Sequence, residues 1–484
     1  MVSYKTFEAR RTTGAASSER MDEPMPQTRD CLPARSQPHC TSRARNRARR
    51  TSVIAVLTGL TLLAAGCTGA KQGAATDDAS KPVTITFWHG FNLPVDLAAL
   101  NANIKRFETL HPNITVKATG NVTDDKILQG VRSPSGPDVV SSFSTDSVGA
   151  LCNGALSDLN PFMKKAGINK DIFVKARIDY TQFRGNQCTL PFLGDAEGMY
   201  YNTDMFKAAG IASPPKTWSE LTTDAVKLTK SNGDSYDQVG FMPSFHGYET
   251  TPGVWMTQWS PTWVDSKGKS NLSRDPHVAQ FFQYTKTLTA ALGGFSKLEK
   301  YRLTFGDEWS AQNAFEVGKV AMQLDGEWRN SIIKNDKSKV NFATAPAPVP
   351  DDQIDSYGKG YLTGTIIGIS KASAHQNAAW ELVRFLTTDT QALVRFGNTI
   401  NNVPSTVASL NSPDVLDDPN FQTFIQISSH KDSASTPPSA NGAEYLTILS
   451  RFAYDWERGK VPDLHAGLAT VDKQIDVVNA RAAR

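Results

Sequence analysis

Between residues 82 and 143 the chain alternates strand-like and helix-like patterns, and that alternation leaves few folds open to it. Pro82 introduces Val83-Thr84-Ile85-Thr86-Phe87, a period-2 run that ends in Trp88-His89-Gly90. Residues 98–110 place Leu100, Ile104, Phe107 and Leu110 at helical spacing and stop at His111-Pro112-Asn113. Residues 114–117 read as a second strand, 124–131 as a short helix and 137–143 as a third strand. Such alternation predicts a parallel, doubly wound sheet with helices on both faces. Ligands of open α/β sheets sit outside the carboxyl ends of the strands, so Trp88, His89 and Ser142 are candidate contacts. For His89 a capping or packing role is the alternative.

The sheet does not begin at residue 1. Arg43, Arg45, Arg47, Arg49 and Arg50 form a basic run, and residues 53–65 carry no charge. Ala64-Ala65-Gly66 then leads into Cys67. A basic stretch, an apolar stretch and small residues make 43–66 a signal peptide, too short for a comfortable membrane span. Its end resembles a bacterial lipobox, although Leu63 stands one place further from the Cys than usual. That reading makes Cys67 an acylated N-terminus on the outer face of the cytoplasmic membrane; the alternative is a secretory peptide with an incidental cysteine. Residues 1–42 lack periodicity and read as a disordered extension or a mis-assigned start, and 67–82 as a tether.

Removing the leader changes the charge argument. Residues 1–66 hold 11 Lys and Arg against 5 Asp and Glu, so the net +3 of the whole chain becomes −3 over residues 67–484. A slightly acidic exported chain argues against nucleic acid as a partner. The remaining length suggests two lobes. Of the five cysteines, Cys152 and Cys188 remain for the folded part, and in an exported protein they fit one disulfide. Separate buried thiols are the alternative. There is no CxxC, HExxH or His pair at ligand spacing, so neither metal nor cofactor is expected.

Residues 318–328 carry the sharpest chemical signal. Residues 309–317 look helical, Gly318 closes them, and Val320, Met322 and Leu324 alternate with Ala321, Gln323 and Asp325 as a partly buried strand. Gly326 frees the backbone for a bend, and Trp328 comes next between Glu327 and Arg329. A flat aromatic beside charged groups suits stacking on a sugar ring; a core Trp at a tight turn is the alternative. Upstream, residues 189–198 read as a strand that breaks into a loop bearing Asp195 and Glu197, either sugar contacts or a solvated turn. Trp255, Trp259 and Trp263 recur every four residues, as a core stripe or as a cleft platform. Polar Thr257, Gln258 and Ser260, with Pro261, favour the cleft.

Three stretches in order give a family resemblance. Pro191-Phe192, Gly198 to Phe206, Gly210-Ile211, Pro214-Pro215 and the capping box Thr217-Trp218-Ser219-Glu220 form the first. Residues 318–328 form the second. Gly364 to Lys371, Ala378 to Leu386 and Val403-Pro404-Ser405 form the third. Together they resemble the extracellular solute-binding proteins of carbohydrate ABC importers, over most of residues 83–405. The resemblance implies a periplasmic-binding-protein-like fold: two doubly wound α/β lobes, 83–192 with 358–405 and 193–357 with 406–484, joined by a hinge. It implies a sugar, an oligosaccharide by expectation, held between the lobes by a monomeric, non-enzymatic protein and delivered to a permease. Trp328 occupies the position that stacks on sugar in the family, and Glu327, Tyr361 and Thr363 join the candidates at strand ends and loops. The rival readings are an exported glycoside hydrolase, for which no acid–nucleophile pair stands out, and a glycerol-phosphate-type ligand, for which no Arg cluster does.

Overall fold

The computed structural model describes residues 81–482. The signal segment, Cys67 and most of the tether lie outside the described residues. Ten strands are described: β1 (Val83–His89), β2 (Ile114–Thr119), β3 (Val139–Ser142), β4 (Thr189–Asn202), β5 (Lys230–Asn232), β6 (Ser235–Phe241), β7 (Val320–Gly326), β8 (Phe342–Ala345), β9 (Leu362–Ile369) and β10 (Val403–Pro404). They pair in the order β2-β1-β3-β9-β4-β7-β6-β5, with β8 and β10 also on β4.

The expected alternation forms the first half. β1 pairs parallel with β2 and with β3, and helices cover both faces. On one face Ile85 and Phe87 meet Ile104 and Phe107 of helix Pro94–Leu110 and Leu382 of helix Gln376–Thr388. On the other, Val140 meets Ile127 and Leu151. The sheet is mixed rather than purely parallel, because β9 runs antiparallel to both β3 and β4. Cys152 and Cys188 are joined in a disulfide, Cα to Cα 5.3 Å, tying helix Val148–Cys152 to the chain entering β4.

β4 carries the chain from one half to the other. Its residues up to Ala196 pair with β9, whereas Glu197 onward pairs with β7 on one side and β8 from Met199 on the other. The expected loop at 193–198 is therefore strand. A register shift between Pro191 and Leu193 absorbs the irregularity that Pro191 causes. The second half packs helices Trp218–Leu228, Pro276–Ala291 and Glu444–Glu457 against β6 and β7, around Trp218, Phe241, Phe281, Phe282, Met322 and Leu449. The capping box on Trp218–Leu228 is complete: Thr217 Oγ1 accepts from Glu220 N and Glu220 accepts from Thr217 N, both at 3.3 Å. β7 lies between β4 and β6, which buries nearly every residue of a strand expected to be half covered.

Candidate functional site

Trp328 opens helix Trp328–Asn335, directly beyond β7, rather than standing in a turn. Its ring folds back over Gly326, where a Cβ would lie 2.2 Å from ring atoms. The glycine is needed for that close approach. Trp328 is partly buried, with Trp309 6.3 Å away at 32° and Tyr248 6.2 Å away at 63°. Trp309 and Tyr248 expose 44% and 37% of their surfaces, so the three rings form an apolar wall that solvent reaches.

Trp309 owes its place to a segment that did not become the expected helix. Asp307 Oδ1 accepts from Trp309 N, Ser310 Oγ from Gln312 N and Asn313 Oδ1 from Phe315 N. These side-chain bonds satisfy the backbone as turns and hold residues 307–317 out of a helix. The Asp, Ser and Asn at 307, 310 and 313 were the signal in the sequence, outweighed by the apolar spacing after them.

Carboxyl groups line the other side of this wall. Glu327 Oε2 accepts from Ala196 N at 2.9 Å. Asn402 Nδ2 donates to both Glu327 Oε1, at 2.9 Å, and Asp195 Oδ1, at 2.5 Å. Burial raises both acids; Asp195 raises Glu327 further, and Arg177 works in the opposite direction on Asp195. Glu197, paired in register with Gly326, is pushed well up by burial and then by Asp325, Glu327, Asp195 and Glu308. Glu249 is raised likewise by burial, Asp325, Glu308 and Glu197. Burial lifts Glu308 to about 7, although its Oε2 accepts from Tyr248 N at 2.7 Å. Asp325 has a structural task, accepting from Arg329 Nε at 2.6 Å and Gly326 N at 2.9 Å, while Arg329 also donates to Glu316 at 3.0 Å.

The first half contributes through the loop after β3. Thr436 Oγ1 donates to Asp146 Oδ1 at 3.1 Å and shares a 3.1 Å bond with Tyr361 OH. Thr363 Oγ1 meets Thr145 Oγ1 at 3.0 Å, and Tyr180 OH donates to Thr363 O. After burial, Glu197, Tyr361, Asp195 and Asp146 all raise the Tyr248 phenol. Tyr361 and Thr363 are buried, with their hydroxyls bonded to Thr436 and Thr145 respectively. Sequence reasoning missed Asp146, Tyr248, Glu249, Glu308 and Trp309, which converge from separate segments. A groove of 580 Å³ lined by Tyr180, Leu410, Ser428 and Thr436 opens nearby, and it shares only Thr436 and Tyr180 with these contacts.

Five candidates have packing or structural contacts away from this wall. Trp255 and Trp259 are core residues: Trp259 stacks on Trp218 at 4.8 Å and 8°, and Trp255 packs on Phe241 and Phe281. Helix Pro276–Ala291 covers the face that the spacing left open to either reading. His89 lies between Phe87 and Phe91, and burial pushes it down to about 4, so it is a neutral packing residue. Trp88 packs on Gly130 and the Ile127–Val140 cluster, and Ser142 Oγ donates to Asp124 Oδ1 at 2.5 Å. These contacts hold Trp88 and Ser142 in the first half, and none of them reaches the Trp328 wall.

The fold recurs in solved structures. One described as CpMnBP1 with mannotriose bound superposes with a TM-score of 0.68 at 24% identity, over 81% of this chain and all of that one. Among sequence relatives, a putative binding protein of Brucella abortus (strain 2308) is 25% identical over 288 residues, 58% of this chain and 66% of its own length. A maltotriose-binding protein of Pyrococcus abyssi is 20% identical over 349 residues, 72% of each chain. Residues 92–393, more than half of the sequence, match the bacterial extracellular solute-binding protein signature. The chain belongs to the bacterial extracellular solute-binding protein family.

Proposed function

We propose that this protein captures a sugar, an oligosaccharide rather than a single ring, between its two halves and delivers it to an ABC importer permease. The observation that carries this reading is the Trp328–Trp309–Tyr248 wall facing buried carboxyls. Pyranose C–H faces stack on such rings, and sugar hydroxyls need acceptors of the kind that Glu197, Asp195, Glu327 and Glu308 provide. The maltotriose and mannotriose in the names of similar proteins support the same ligand class. The lobes of this reading are 83–192 with 358–405 and 193–357 with 406–484, closing on the ligand by a hinge motion. Cys67 anchors the chain outside the membrane as a monomer; no helix among the described residues is long and apolar enough to cross one.

A glycerol-phosphate-type ligand fits less well, because its phosphate would enter a field of carboxyls, with Arg329 already paired to Asp325 and Glu316 and Arg177 buried behind Gly194. A hydrolase would need one acid and one nucleophile held across a bond, whereas Asp195 and Glu327 are tied together through Asn402, with Glu327 also bonded to Ala196 N. A thermal-shift screen across mono- and oligosaccharides, with product analysis of each hit, tests the proposal. A stabilising sugar recovered intact supports it. A screen with no stabilising sugar, or turnover of the sugar, contradicts it.

A further inference from the structure

We infer that the site selects a saccharide bearing a protonated amine, an amino sugar or an amine-containing oligosaccharide; the inference rests on the proposal that the protein binds sugar. Six carboxyl groups, Asp195, Glu197, Glu249, Glu308, Asp325 and Glu327, act on one another around the end of β7. Two buried arginines stand beside them, and Nε and Nη1 of Arg177 meet no acceptor from the chain. Arg329 is fully buried between Asp325 and Glu316. Arg177 lies behind Gly194, where a Cβ would fall 0.4 Å from Nη1, and its Nη2 donates to Ser428 Oγ at 2.8 Å. Asn402 serves Asp195 and Glu327.

Glu197 and Glu249 are left. They are 4% and 3% exposed, and Oε1 of each meets no donor from the chain. Glu197 pairs in register with Gly326, the residue over which the Trp328 ring folds, which puts it at the foot of the aromatic wall. A buried acceptor without a donor is destabilising, so these oxygens suit donors that arrive with the ligand. A hydroxyl brings one donor and no charge. Among the described residues no cluster of His, Cys, Asp or Glu has the arrangement to hold a metal ion. An ammonium group brings three donors and a positive charge that favours the ionised form of Glu197 and Glu249, and Trp328 and Tyr248 add ring faces that attract a cation.

The test is calorimetric titration with pairs that differ only in an amino group: glucosamine against glucose, mannosamine against mannose, and the glucosamine trisaccharide against cellotriose. The expected result is that the amine of the best-binding pair binds about tenfold tighter or more, a difference of about 1.4 kcal/mol. Glu197→Gln and Glu249→Gln, each near-isosteric and checked by its unfolding midpoint, should weaken the amine about tenfold more than its neutral partner and so remove that advantage. Neutral sugars that bind as tightly as their amines overturn the inference and leave sugar capture standing. So does equal weakening of both partners in the Gln variants. Silence of every pair and of the wider sugar screen overturns both readings.

Discussion

Two groups of tryptophans in the second half of the molecule meet opposite fates. Trp218 and Trp259 stack face to face at 4.8 Å, with Trp255 edge-on to Trp218, and all three are buried in the core. Trp309 and Trp328 lie 6.3 Å apart at a looser tilt, beside buried carboxyls and an exposed Tyr248. Residue type is the same, and helical spacing in the first group gave no warning. The difference lies in which later elements pack over the rings. Trp255 and Trp259 sit on short helical turns that helix Pro276–Ala291 covers through Phe281. Trp309 and Trp328 sit where backbone groups are satisfied by local turns or a strand end, and they stay exposed and partly buried respectively. An aromatic becomes a platform when the chain runs out of structure to cover it.

The largest expected effect separates these groups directly. Trp255→Ala opens a cavity among Phe241, Phe245 and Phe281 and is expected to cost about 3–5 kcal/mol in denaturant unfolding. Trp328→Ala is expected to cost about 1 kcal/mol or less. Equal losses would erase the distinction. His89 extends the comparison to a ligand candidate that proved to be packing. Burial lowers it from 6.5 to about 4, so between those values the unfolded chain binds a proton that the folded chain refuses. Its contribution is complete above pH 6.5 and fades by about 3 kcal/mol as pH falls toward 4. The raised carboxyls have the opposite sign, losing stability as pH rises; for Glu308 the window is 4.5 to about 7. Unfolding midpoints of wild type and His89→Leu between pH 4 and 6.5 should therefore converge at the acid end. Parallel curves would return His89 to an exposed role. A smaller effect concerns the helix that carries Trp218: Thr217→Ala removes the cap and is expected to cost about 1 kcal/mol with no change in sugar binding.

Much of this was legible in the chain. The first three strands, the Thr217 box and the strand leading to Trp328 arise from local periodicity and capping, which act over a few residues. The continuity of β4 was hidden because Gly194 and Gly198 look like breakers; Gly194 in fact makes room for Arg177. The burial of Trp255 depends on residues 276–291, and the cluster of Tyr248, Glu249 and Glu308 on β7. Such convergences are long-range, and no local pattern encodes them.

If the open group of aromatics, and not the stacked one, is the sugar surface, Trp328 is the residue on which binding turns. The most direct test is titration of Trp328→Ala with whichever sugar stabilises the wild-type protein, alongside the unfolding midpoint of the empty variant. The expected result is an empty protein that unfolds close to wild type and shows no ligand-induced stabilisation, against about 2.7 kcal/mol for wild type at a hundred times its Kd. Undiminished stabilisation in Trp328→Ala would contradict this and place the sugar elsewhere on the molecule.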